Sequence, residues 1–189
     1  LENTLIAGIE VSTNLEGKIG PIPFKVWAGY TYTYPGNLDS IRIRNENYLE
    51  NFAKAFTLND QSVLPSILTN RSTHVARFDI EFYLKKLTLG FSANYDGYLH
   101  NIDPVLEGKG AWGEFIASLG TDLLLPGVVD FRNNNPKDNV IFDVKLGYKI
   151  NKNHQLNAIV SNLGNRTYAT RPGRMNAFRT FNLKYTLTL

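Results

Sequence analysis

The sequence of 189 residues contains no cysteine and only one methionine. The absence of cysteine excludes a disulfide framework, a thiolate metal site and a cysteine nucleophile. A large excess of one charge is also missing, because 20 Lys and Arg residues oppose 17 Asp and Glu residues, for a net charge of +3. The charges are spread along the chain and form no basic stripe, so we expect no nucleic-acid partner.

Long hydrophobic runs are absent too. The longest apolar cluster lies at 123–129, well short of the about 18 consecutive apolar residues that identify a spanning helix. Residue 1 is leucine with no signal-peptide pattern behind it, so we expect either a mature chain or a piece of a longer one. The composition excludes a helical membrane protein and leaves a membrane β-barrel open.

What the sequence contains instead is alternation of apolar and polar residues. In the clearest stretch, 76–84, alanine, phenylalanine, isoleucine and leucine alternate with Arg77, Asp79 and Glu81. Most stretches are far longer than a usual soluble strand of about 5–6 residues and suit the about 9–11 residues of a transmembrane strand. Seven such stretches predict an all-β chain; the other six begin near Leu5, Phe24, Leu87, Phe142, Leu156 and Phe181.

The alternation also predicts which side of each strand meets lipid. A one-residue slip would turn the charged row of 76–84 into the bilayer, where one arginine at the midplane costs about 2–4 kcal/mol. An open sheet edge is not viable in lipid, so the strands must belong to a closed antiparallel barrel with a wet lumen. The predicted lumen-facing charges are Arg77, Asp79, Glu81, Asp143, Lys145, Lys149 and Lys184.

The connections alternate between short and long, as in outer-membrane barrels with short periplasmic turns and long extracellular loops. We expect short turns at 16–21, 85–86 and 151–153, and extracellular loops at about 35–72, 100–137 and 163–177. This topology places the C-terminus on the periplasmic side. Tyrosines near the outer loops are predicted to form an interfacial girdle; they are Tyr30, Tyr32, Tyr34, Tyr95 and Tyr98.

Seven strands is an odd number, whereas a single-chain bacterial barrel normally has an even one. We therefore expect at least one strand before Leu1 and interpret the chain as the C-terminal part of a larger barrel. Two alternatives stay open: an autonomous eight-stranded barrel with an extra strand near Ser40–Arg44, and a soluble β-domain such as a lipocalin-like barrel. The segment 48–56 has the spacing of a short loop helix.

The end of the chain resembles the C-terminus of TonB-dependent outer-membrane receptors. That family's last hairpin carries an Asn-Leu-x-Asn-x-x-Tyr motif, an Arg-Pro-Gly turn and an arginine before the final strand. The resemblance extends over most of 69–189 and more faintly over 1–34. The matching residues here are Asn162, Leu163, Asn165, Tyr168, Arg171, Pro172, Gly173 and Arg179. The family prefers a terminal phenylalanine, which is Leu189 here. The residues that fit its barrel-assembly signal are Phe181, Leu183, Tyr185, Leu187 and Leu189.

The resemblance implies energised import of a scarce nutrient through a 22-stranded barrel, of which this chain supplies about seven strands. In the family an N-terminal plug fills the barrel, and a segment near that plug contacts TonB; neither lies in this chain. The implied partners are outer-membrane lipid, the rest of the barrel with its plug, TonB, the barrel-insertion machinery and a small ligand. That ligand could be an iron chelate, cobalamin, a glycan or a peptide.

Two other functions stay open: a small structural or adhesive outer-membrane barrel, and a barrel-embedded hydrolase. The hydrolase would need a serine with a base in reach, and His74 and His100 have no fixed relation to Ser92 in the sequence. We therefore expect no enzyme activity, and no catalytic, cofactor or metal site.

Overall fold

The computed structural model describes residues 3–56, 66–107, 110–118, 127–135 and 138–188. The strands are β1 (Thr4–Ile19), β2 (Ile22–Asn37), β3 (His74–Leu84), β4 (Leu87–Asp96), β5 (Asn139–Lys149), β6 (His154–Ser161), β7 (Ala169–Arg171), β8 (Arg174–Met175) and β9 (Thr180–Leu187). The helices are α1 (Leu38–Ile43), α2 (Tyr48–Phe56), a 3₁₀ helix (Pro104–Glu107), α3 (Gly110–Ser118) and α4 (Val128–Asn134). No helix in the described ranges is long and apolar enough to cross a membrane.

Seven strands form one antiparallel sheet in the order β1-β2-β3-β4-β5-β6-β9, and the short strands β7 and β8 form a separate hairpin. Each main strand pairs with its neighbour in the chain, apart from the excursion between β6 and β9. Within the described residues β1 and β9 are not paired with each other, so the sheet is open. The predicted seven-stranded, all-β part of a barrel is confirmed.

The register separates the two faces of the sheet across all seven strands. One row of cross-strand partners is apolar throughout; it consists of Leu15, Val26, Ile80, Phe91, Val144, Val160 and Phe181. The adjacent row is mostly polar; it consists of Glu16, Lys25, Glu81, Gly90, Lys145, Ile159 and Asn182. We call the two sides the apolar face and the polar face. Because side chains alternate along a strand, one register fixes both faces at once.

The strands at the start of the chain are longer than their sequence pattern predicts. β1 and β2 each have 16 residues and pair as far as Ile19 with Ile22. The expected turn at 16–21 is therefore wrong, since only Gly20 and Pro21 connect the strands. Gly20 has a φ of +59°, a backbone conformation that glycine adopts without steric cost.

The possible extra strand near Ser40–Arg44 is also wrong, because α1 occupies most of this segment. The side chain of Asn37 accepts hydrogen bonds from the backbone N–H groups of Asp39 and Ser40, both at 3.1 Å. This N-cap satisfies two of the backbone donors that a helix start leaves open. The helix expected at 48–56 is confirmed as α2.

The main buried cluster lies where α2 packs on β2. Tyr32 and Tyr34 are fully buried, together with Ile41, Ala55 and Ile67. The expectation that both tyrosines belong to an interfacial girdle is therefore wrong, because α2 covers the end of the apolar face where β2 leads into the connection to β3.

Candidate functional site

Two surfaces of the sheet are candidates for function, and the first is the polar face. The charges predicted to face a lumen all lie on this side in the cross-strand register. Asp79 accepts a hydrogen bond from the Ser92 hydroxyl and pairs with the Lys145 ammonium at 3.2 Å, which links β3, β4 and β5. Side chains from three strands therefore neutralise one another here.

Two further contacts on the polar face involve predicted charges. The Arg77 guanidinium pairs with Asp96 at 2.7 Å and donates to the Tyr95 carbonyl at 2.8 Å. The Glu81 carboxylate accepts from the Tyr83 hydroxyl at 2.7 Å. Arg77 and Glu81 therefore each have a polar partner on the sheet itself.

The second surface is the apolar face, which is largely uncovered. Large apolar side chains of the central and last strands stand exposed on it; they include Phe78, Leu89, Phe91, Phe142, Leu146, Phe181 and Leu183. An uncovered apolar surface this continuous marks an interaction surface. Four of the predicted assembly-signal residues lie on this face in β9; they are Phe181, Leu183, Tyr185 and Leu187. Leu189 lies outside the described residues.

The motif that carries the family resemblance forms a loop after β6 that side-chain hydrogen bonds of Asn162 hold closed. We call these hydrogen bonds the clasp. Asn162 is buried with a φ of +53°. Its side-chain amide donates to the carbonyls of Arg166 (2.7 Å) and Ala177 (3.2 Å), and its side-chain oxygen accepts from the Arg166 N–H at 2.8 Å. Asparagine is well suited to this position because it tolerates positive φ and offers both donors and an acceptor.

The rest of the motif extends the clasp. Asn165, with a φ of +49°, accepts from the backbone N–H of Arg179 at 2.9 Å. The backbone N–H of Asn162 donates to the Asp143 carboxylate at 2.7 Å. Asp143, predicted only as a lumen charge, therefore also anchors this loop to the polar face.

The Arg-Pro-Gly residues form the turn of the β7–β8 hairpin. Arg171 pairs with Arg174 across Pro172 and Gly173, and Gly173 has a φ of +69°. Proline followed by a positive-φ glycine is the signature of a type II turn. Tyr168, half-buried, lines a polar cavity with Arg77, Asp96 and Asp143, and burial raises the pKa of its hydroxyl. Leu163 is exposed.

Asn162→Ala is expected to release this loop. The change removes three side-chain hydrogen bonds and places alanine at positive φ, for a combined cost of about 2–4 kcal/mol in local opening free energy. Faster hydrogen exchange at the Arg166 amide and faster tryptic cleavage after Arg174 would measure the release. Asn162→Gly is the matched control, since it accommodates the φ value but still lacks the bonds, and it should lie between alanine and wild type. Unchanged exchange in Asn162→Ala would contradict the clasp.

The histidines do not converge on Ser92. Ser92 lies on the polar face, whereas His74 lies opposite Tyr32 on the apolar face. The His74 ring is hydrogen-bonded to the Tyr30 hydroxyl at 2.7 Å. In the part of the chain that the structure describes, no three His, Asp or Glu side chains are grouped as they would be around a metal ion.

His100 packs inside the connection between β4 and β5. Its ring meets the Tyr98 ring edge-on at 5.4 Å, and its carbonyl accepts from the Arg132 guanidinium at 3.3 Å. Burial lowers the pKa of the imidazole below its ordinary value of 6.5; the Asp138 carboxylate opposes this, and Arg132 and His74 add to it. Relative to a free imidazole, the folded connection therefore favours the neutral ring.

The packing of this connection is expected to weaken as the pH falls. Because the folded-state pKa of His100 is lowered, the unfolded connection binds the proton more readily, and stability is lost below about pH 6.5. An NMR titration of the His100 ring should give a pKa below the ordinary value. Hydrogen exchange around 98–101 should rise with acidification in wild type and much less in His100→Gln. A His100 pKa at or above 6.5 would refute the prediction.

The fold and its two faces define an open segment of a transmembrane antiparallel β-barrel. A similar solved structure is the ferric-catecholate import receptor Fiu from E. coli K12 in its closed form, with a TM-score of 0.58 and 21% sequence identity. The likeness covers 97% of this chain and 21% of that chain, so this chain spans about a fifth of that receptor. No family model and no curated protein matches the sequence. At this identity the likeness shows the fold.

Proposed function

We propose that the chain forms part of the wall and outer loops of a TonB-dependent outer-membrane receptor that imports a scarce nutrient. The observation that carries this proposal is the apolar row that crosses all seven strands of an open sheet whose fold matches part of an import receptor. Such an apolar face is stable in contact with lipid. The polar face of the same strands must then line a water-filled lumen. The Asn-Leu-x-Asn-x-x-Tyr and Arg-Pro-Gly residues support the same family.

The proposal assigns a neighbour to each surface of the chain. The open edges at β1 and β9 pair with further strands of a barrel of about 22 strands, which encloses a plug against the polar face. TonB acts through upstream residues, and the barrel-insertion machinery reads the alternating residues of β9, with the C-terminus on the periplasmic side. The long connections at the other end are extracellular. The role is transport, with no enzymatic step.

Growth on single nutrient sources tests this function. A strain lacking the protein is supplied with one source at a time: an iron chelate, cobalamin, a glycan or a peptide. We expect growth to be lost on one of these sources, to be lost equally when TonB is depleted, and to return with the full-length protein. Growth on every source without the protein, or complementation that does not need TonB, would refute the proposed function.

A further inference from the structure

The connection between β2 and β3 folds onto the apolar face of the sheet. Tyr32 and Tyr34 share this face with Phe24 and Val26 in the strand register. The Phe52 ring of α2 lies 5.0 Å from the Tyr32 ring and 6.4 Å from the Tyr34 ring, and the Tyr32 hydroxyl donates to the Phe52 carbonyl. α2 therefore lies on the lipid-directed side of the proposed barrel wall.

The position of α2 along the strand matches the outer boundary of a membrane. The apolar band of an outer-membrane barrel is about 25 Å tall and its strands tilt by about 35–45°. With a rise of about 3.3 Å per residue, about ten residues cross the band. Ile22 begins β2 directly after the Gly20–Pro21 turn, and Tyr32 follows ten positions later. With the Gly20–Pro21 turn placed at the periplasmic boundary, the helix that covers Tyr32 is level with the headgroups of the outer leaflet.

α2 presents more apolar surface than its packing on β2 requires. Its inner side, with Asn51 and Ala55, is buried. Beside it, Leu49, Ala53 and Phe56 recur at i, i+4 and i+7 and form a second stripe on one flank. Phe56 lies at the edge of this stripe next to the packed side, because its ring also meets the Tyr32 ring edge-on at 5.0 Å. Leu49 is 75% exposed and Phe56 is 49% exposed.

The remaining side of α2 is charged. Lys54 pairs with Glu50 at 2.6 Å, one turn apart on the helix. A packed side, an exposed apolar flank and a charged side together match a helix that lies in the plane of a membrane interface with its apolar flank among acyl chains.

We propose that α2 is an interfacial helix of the outer leaflet, whose stripe of Leu49, Ala53 and Phe56 contacts lipid at the boundary between headgroups and acyl chains. The occupant is lipid because the stripe is level with that boundary and α2 packs on the apolar face of the sheet. The helix anchors the wall laterally, where the connection leaves β2. This inference rests on the membrane location in the proposed function.

Spin-label accessibility tests the proposal, and no native cysteine within these 189 residues competes with an introduced one. Leu49→Cys, Phe56→Cys and Glu50→Cys are made in the full-length protein and reconstituted in phospholipid vesicles, with Phe91→Cys as a reference inside the apolar band. Collisions with oxygen report lipid, and collisions with a water-soluble nickel chelate report water. We expect labels at positions 49 and 56 to collide mainly with oxygen, and the label at position 50 to collide mainly with nickel.

The label at position 91 distinguishes a failure of the interfacial helix from a failure of the membrane location. Oxygen contact at position 91 with nickel contact at 49 and 56 would overturn the interfacial helix while the membrane wall stands. Nickel contact at position 91 would overturn the membrane location and the inference with it. Low collision with both reagents at 49 and 56 would mean that protein covers the stripe, and it too would overturn the proposal. Heat-modifiable migration of each variant shows that it has folded.

Discussion

Residues 1–189 produced alone are expected to fail to insert into lipid vesicles as a closed barrel. β1 and β9 are the edges of the sheet, and β1 alone has 16 residues. In a bilayer each unpaired backbone group costs several kcal/mol, so two open edges outweigh the gain from the apolar face. Heat-modifiable migration and resistance to proteolysis are the measurements, with the full-length protein as the positive control. A protease-resistant, heat-modifiable species from the fragment would contradict this expectation and favour an autonomous barrel.

Phe91→Arg is expected to cause a large loss of stability. Phe91 lies on the apolar face, in the row shared with Ile80 and Val144, and its ring stacks on Phe142 at 5.7 Å. A charge near the bilayer midplane costs about 2–4 kcal/mol. We expect a matching drop in the free energy of unfolding, measured by urea titration of the full-length protein in vesicles.

A substitution on the other side of the same strand provides the control. Asn94 lies on the polar face, and its side-chain amide donates to the Asp143 carboxylate at 3.4 Å. Asn94→Arg places the same guanidinium between the Asp143 carboxylate and Arg77, its cross-strand partner. The attraction and the repulsion largely offset each other, so we expect a change of less than about 1 kcal/mol. Equal losses in the two variants would mean that the faces are not in lipid and water as proposed.

The faces of the sheet could be predicted because they follow from local alternation. Around Phe78 the choice of face decides whether Asp79 and Arg77 meet lipid or water, so the pattern has one stable solution. The Pro172–Gly173 turn and α2 were likewise predictable, since their residues favour one local geometry each. The clasp at Asn162 was recognisable only as a motif; the structure adds its hydrogen bonds.

What could not be predicted depends on contacts between distant parts of the chain. In Ser40–Arg44 the alternation fits a strand as well as a helix, and the cap from Asn37 with burial of Ile41 decides for the helix. The docking of α2 on Tyr32 has no signature in either segment alone. α3 and α4 were missed, because short helices in long connections carry little periodicity.

The two-residue period also determines where this molecule can change in length. One residue inserted into β4 would invert the sidedness of the positions beyond it in that strand, so natural variants should conserve strand lengths strictly. The connections that hold α1 to α4 have no such parity and accept insertions of any size. Differences in length among related chains should therefore be concentrated at the helix-bearing end of the sheet. They should be nearly absent at the end with Gly20–Pro21 and Lys85–Lys86.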